Sequence, residues 1–284
     1  MSTHEKHTLV AEDGRELAAY RYLPDGEPLA SVALLPAFAV KQRFYRHYAT
    51  YLADQGFAVL TFDTRGIGES LVGHVRDEPV TTAEWVTLDH VAALRWLQEQ
   101  PGPNLAVGHS LGGQIPGVVD EARCLDGLYG VAAQLGYWGH FDGAARWRMR
   151  ATFSVLMPGF TKLFGYLPGW TGLGEDVPGP AMLEWAAWLR SPNYLVDHVP
   201  GAAERYRSWP GEYVGVGFTD DTYAPVRGVR ALTACYDPER AQLTLHRPCD
   251  LGLDEVGHFG FFRPEQGKVL WEPSVRQLRR WAGA

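Results

Sequence analysis

The residues of this chain with the clearest chemical use stand at Gly108-His109-Ser110-Leu111-Gly112, a G-x-S-x-G pentapeptide. An apolar strand-like run, Leu105 to Val107, precedes it, and a helical pattern from about Leu111 to Val119 follows. A strand that turns sharply into a helix needs glycine on both sides of the turn, because a side chain there would strike neighbouring backbone. Such a turn presents the Ser110 hydroxyl at the strand's carboxyl end and aims the Leu111 amide and the helix N-terminus at a developing oxyanion. A serine hydroxyl is a weak nucleophile near neutral pH, so it needs a base, and the base needs a carboxylate to orient it. Two late histidines are placed differently. His246 lies inside the alternating strand Gln242 to His246, whereas His258 lies in the glycine-flanked loop Val256-Gly257-His258-Phe259-Gly260. A loop at the carboxyl end of a strand can reach Ser110, and a side chain within a strand usually cannot. The adjacent acids Asp220 and Asp221 follow the apolar strand Tyr213 to Phe218; neighbours on a turn point in different directions, so at most one holds the histidine.

The elements needed to position these groups follow an α/β rhythm. Thr8 to Ala11 and Leu17 to Leu23 alternate around Asp13-Gly14, which predicts an antiparallel hairpin. Strands are then predicted at Ser31 to Leu35, Phe57 to Phe62, Leu105 to Val107, Leu128 to Ala133, Tyr213 to Phe218 and Gln242 to His246. Helical spacing falls between them at Arg43 to Gln55, Thr87 to Gln100, Val226 to Tyr236 and finally Glu272 to Trp281. Alternation of this kind implies a mainly parallel sheet covered by helices. Residues 136–210 break the rhythm with many Gly and Pro residues and with helical patterning only near Arg146 to Leu156 and Ala181 to Leu189, so they read as an insertion.

Composition narrows the class further. With 284 residues, 46% of them hydrophobic and 21% charged, the chain is neither disordered nor of low complexity, and a net charge of −7 argues against general binding of nucleic acid. Cys124, Cys235 and Cys249 form an odd set without C-x-x-C spacing, the pattern of reduced thiols, and a cytoplasmic location is expected. The first twenty residues lack the apolar run of a secretory signal, and no stretch has the length and apolarity of a membrane span. H-E-x-x-H is absent, and the glycine-rich segments match neither a Walker nor a G-x-G-x-x-G pattern, so neither a metal nor a nucleotide cofactor is expected.

Taken in order, these motifs resemble those of α/β-hydrolase-fold serine hydrolases, the broad esterase, lipase and serine-aminopeptidase-like group. Gly56 to Ser70, which contains Asp63-Thr64-Arg65-Gly66-Ile67-Gly68-Glu69-Ser70, is similar to the family's D-x-R-G-x-G-x-S segment. Phe44-Tyr45-Arg46, Asp221-Thr222-Tyr223-Ala224-Pro225 and Gly257-His258-Phe259-Gly260-Phe261-Phe262-Arg263 look most like a bacterial subgroup of α/β hydrolases. The resemblance implies the α/β-hydrolase fold, a mainly parallel eight-stranded sheet flanked by helices, with core residues 1–135 and 211–284 and a helical cap, 136–210, after strand six. It also implies the chain order nucleophile, acid, histidine, hence Ser110, Asp221 and His258, with Asp220 as the alternative acid; Asp221 stands four residues before the proline that opens the next helix. Family members commonly carry His-Gly after strand three, where this chain has Pro36-Ala37. The carried-over second oxyanion donor is the Phe38 amide, beside that of Leu111. The implied reaction is cofactor-independent cleavage of a carboxylic ester, thioester or similar acyl bond in a small molecule. Acyl transfer by the same triad is the alternative, and a non-catalytic ligand binder on the same scaffold is the reading from another class.

Three segments carry two readings each. Asp63 and Arg65 can fix their loop or contact substrate, and loop fixation is expected. Arg146-Trp147-Arg148-Met149-Arg150 is a solvated helix face or a recruiter of an anionic substrate group. The segment 136–210 holds Trp138, Trp147, Trp170, Trp185, Trp188 and Trp209, six of the ten tryptophans. These rings either make an apolar pocket facing Ser110 or form the insertion's own core.

Overall fold

Apolar runs such as Ser31–Leu35 and Ala58–Phe62 are buried at every position, as strands covered on both faces must be. The computed structural model describes residues 3–172 and 174–284, apart from the side chain of Lys268. Its main sheet has eight strands: β1 (Thr3–Val10), β2 (Glu16–Leu23), β3 (Ser31–Leu35), β4 (Ala58–Phe62), β5 (Asn104–His109), β6 (Gly127–Val131), β9 (Glu212–Phe218) and β10 (Ala241–His246). Two short strands, β7 (Tyr166–Leu167) and β8 (Val177–Pro178), form a separate antiparallel pair.

The spatial order is β1-β2-β4-β3-β5-β6-β9-β10. β1, β2 and β4 pair antiparallel, and every pairing from β4 through β10 is parallel. Gly14, at φ +82°, makes the β1–β2 turn in the left-handed conformation its lack of a Cβ permits. The period of two divides the core between the faces: Ala33 and Leu35 join one apolar cluster, Val32 and Leu34 the other. Because β3, β5, β9 and β10 run parallel, the loops after them all open at the same end of the sheet. Phe38, Ser110, the two adjacent aspartates and His258 all lie in those four loops.

The chain from β6 to β9 crosses this end. It forms one long helix, Gly143–Phe164, with a π turn at Thr152–Leu156, then the β7–β8 pair and helices Gly179–Trp188 and Ala202–Ser208. More of it is helical than the pattern predicts. The first helix runs through Pro158 because the preceding π turn absorbs a backbone irregularity, and it ends at Gly165, φ +83°. Buried residues of this segment, among them Phe153, Met182 and Tyr194, join the same apolar cluster as Leu35 and Leu111 of the sheet region.

Two helices differ from expectation. After Ser110 the chain forms a tight 3-10 turn, Ser110–Gly117, in place of a regular helix over 111–119. Pro116 lacks an amide hydrogen, and glycines at 112, 113 and 117 let neighbours crowd the turn. A Cβ on Gly117 would enter the ring of Tyr206, whose hydroxyl donates to the Gln114 carbonyl at 2.8 Å. The closing helix begins earlier than predicted, at Pro264, and runs to Ala282 with Pro273 inside it. Proline is tolerated at a helix's first turn, so Pro264 starts this helix, while Pro273 only removes one donor within it.

Candidate active site

Ser110 directly follows β5 with φ +50°, a left-handed conformation that costs a non-glycine residue free energy and persists only where the surroundings enforce it. The enforcement is visible in the flanking glycines. A Cβ on Gly108 would meet the backbone of Gly112 and Gly113, and one on Gly112 would fall on the Leu35 carbonyl of the adjacent strand. The G-x-S-x-G spacing is therefore a packing requirement: the turn folds back onto its own strand and against β3.

His258 is buried, and its Nδ1 lies 2.8 Å from Oδ2 of Asp221. The other carboxylate oxygen of Asp221 accepts the amides of Tyr223 at 2.7 Å and Ala224 at 2.8 Å, which fixes its plane. With Nδ1 engaged, Nε2 is left without a partner among the described residues. Asp220 turns the other way. Its Oδ2 accepts the amides of Val256 at 2.8 Å and Gly257 at 2.9 Å, so it holds the backbone of the His258 loop rather than the imidazole. His246 pairs with Phe218 in the sheet register at the end of β10 and stacks on its ring, away from Ser110's cavity.

Ser110, His258 and Phe38 line one cavity of about 320 Å³ together with Met149, Phe153 and Trp185. The Phe38 amide has no acceptor among the described residues. Its ring is sandwiched by tryptophans, stacked on Trp185 at 3.9 Å between centroids and edge-on to Trp85 at 5.0 Å. Of the six tryptophans in 136–210, Trp185 is the one that lines this cavity. Trp188 and Trp209 are buried elsewhere, and Trp147 and Trp170 are exposed.

Spacing gives no sign of a second set of buried polar groups. Tyr45 and His109 are both fully enclosed, and the Tyr45 hydroxyl lies 2.9 Å from His109 Nδ1 and 2.9 Å from the Ala37 amide nitrogen. His109 Nε2 lies 2.9 Å from the carbonyl oxygen of His258. A carbonyl only accepts, so Nε2 carries the hydrogen; Nδ1 then accepts from the Tyr45 hydroxyl, which accepts in turn from Ala37. Burial pushes His109 well below the usual imidazole range, in keeping with this neutral form. The strut joins three segments of the site: the loop after β3, the residue before Ser110, and the backbone of His258.

Asp63 and Arg65 hold loops. Asp63 accepts the amides of Gln42 at 2.7 Å and Glu69 at 2.9 Å, and Gly68, φ +54°, leaves no room for a Cβ beside that carboxylate. Arg65 donates through its backbone N and Nε to Asp89, at 2.8 and 2.7 Å, and reaches Asp13 at 2.6 Å. Burial pushes Asp89 up to about 6 despite this guanidinium. Among the described residues no cluster of three or more His, Cys, Asp or Glu could hold a metal, and no helix is long and apolar enough to cross a membrane. The three cysteines are unpaired.

Residues 32–267 match the model of a family described as the alpha/beta hydrolase family. The chain belongs to that family. No curated protein is similar enough in sequence to count as a relative. Solved structures share the fold at low identity. A Pyrococcus furiosus esterase superposes with a TM-score of 0.61 at 16% identity, covering 99% of this chain and 92% of its own. The esterase domain of a Rhodothermus marinus protein gives 0.60 at 19%, covering 99% and 100%. A lipase in an open form gives 0.67 at 18%, again covering 99% and 100%.

Proposed function

We propose that this member of the alpha/beta hydrolases is a serine hydrolase that cleaves a carboxylic ester, thioester or similar acyl bond through an acyl-enzyme. The observation that carries the reading is the buried His258–Asp221 pair, 2.8 Å apart, opening onto the cavity that the strained Ser110 also lines. Ser110 attacks the acyl carbonyl while His258 Nε2 takes its proton, and the same imidazolium then protonates the leaving group. Asp221 keeps the hydrogen on Nδ1 and stabilises the imidazolium. The amides of Leu111 and Phe38 receive the oxyanion, and water activated by His258 frees the enzyme.

Residues 136–210 act in this reading as a cap over the site, and the Phe38, Met149, Phe153 and Trp185 side chains suit an apolar acyl group. The esterase and lipase names of similarly folded proteins agree with ester chemistry. Three unpaired thiols fit a reducing, cytoplasmic setting. Ser110→Ala tests the assignment: labelling by a fluorophosphonate probe and hydrolysis of p-nitrophenyl esters should both disappear. Labelling that persists in this variant overturns the nucleophile.

A further inference from the structure

The helix Gly143–Ala151 carries three arginines, and the structure gives them different surroundings. At 3.6 residues per turn, positions 146 and 150 share a face and 148 points about 200° from 150. The guanidinium groups of Arg146 and Arg150 lie over the Trp138 ring, 5.3 and 5.4 Å from its centroid, where the ring's electron-rich face balances them. Arg148 lines the Ser110 cavity beside Met149 and Thr152. Its guanidinium has no ion pair, hydrogen bond or ring contact among the described residues. Among the described residues no Asp, Glu or Lys lines that cavity, and Arg148 is the one permanent charge there, set against a mainly apolar wall in a chain whose net charge is −7.

We propose that Arg148 selects substrates whose end remote from the scissile acyl bond carries a carboxylate, a deepening that rests on the serine-hydrolase reading above. The apolar wall takes the connecting chain and the guanidinium takes the anion at the cavity's exposed edge. A single planar fork matches the two oxygens of a carboxylate in a bidentate pair, whereas a phosphate dianion would leave charge that no second cation here meets. Arg148 is exposed, so the pair keeps contact with water, and its effect is a modest preference rather than an absolute requirement.

The test compares p-nitrophenyl hemi-esters of glutaric to suberic acid with neutral esters of the same chain length. Wild type should favour the best hemi-ester, and the ratio of the two kcat/KM values should fall about fivefold in Arg148→Gln and recover in part in Arg148→Lys. Arg150→Gln, which removes the same charge from the face on Trp138, should move the ratio less than about twofold. A ratio that Arg148→Gln leaves unchanged, or that both glutamine variants lower equally, overturns the proposal while Ser110-dependent hydrolysis of neutral esters still stands. If no ester is turned over, the serine-hydrolase reading fails separately, and calorimetry with monomethyl adipate decides. Binding by wild type that Arg148→Gln weakens supports the carboxylate site, and equal or absent binding overturns it.

Discussion

His109 Nε2 lies 2.9 Å from the carbonyl oxygen of His258, so the residue before Ser110 grips the backbone of the residue that would act as its base. Tyr45 extends the grip to the loop of Phe38 through the Ala37 amide. Tyr45→Phe would leave the Ala37 N–H and His109 Nδ1 buried without partners, at about 1–3 kcal/mol each. The expected outcome is a lower unfolding midpoint together with a kcat reduced about tenfold and a KM little changed, because reacting groups shift before the apolar wall does. Assays well below the variant's melting temperature separate the two effects. Destabilisation with an unaltered kcat would limit the strut to a structural role.

The two neighbouring acids should separate cleanly. Asp221→Asn replaces the oxygen that faces His258 Nδ1 and is expected to lower kcat by about 10³–10⁴ by upsetting the imidazole's tautomer. Asp220→Asn disturbs amides of the loop backbone and should cost stability, with less than about a tenfold loss in kcat. Equal kcat losses in the two variants would deny Asp221 a distinct place.

His90 makes stability depend on pH. It is fully buried, its Nδ1 donates to the Trp85 carbonyl at 2.7 Å, and burial pushes it down to about 4. Its folded value lies below the unfolded one of about 6.5, so the unfolded chain takes up the proton first, and stability falls as pH drops from about 6.5 towards 4. His109 acts in the same direction. Asp89, raised to about 6, opposes it, since the folded carboxyl binds a proton more readily than the unfolded one. Comparing wild type with His90→Gln cancels the contributions they share. Urea unfolding at pH 7 and pH 5 should show wild type losing about 2 kcal/mol more than the variant. Parallel losses would mean that His90 is not the group responsible.

The sequence by itself determined the parts of this protein that local rules govern. Alternating and fully apolar runs mark the sheet strands because a strand's burial is written in its own residues, and Gly108, Ser110 and Gly112 declare a strained turn because only glycine fits its flanks. Predicted helix limits failed where tertiary contacts override propensity, as at Ser110–Gly117, whose irregular backbone is satisfied by Tyr206 from a distant helix. Which aspartate faces His258 was open from residue types alone, since adjacent side chains differ only in direction, and direction is set by the amides of Tyr223 and Ala224 on one side and of Val256 and Gly257 on the other. Tyr45 and His109 meet across 64 positions, and His109 and His258 across 149. No spacing encodes those contacts. They exist because parallel strands bring the ends of β3, β5 and β10 to one side of the sheet, where buried polar atoms must satisfy one another.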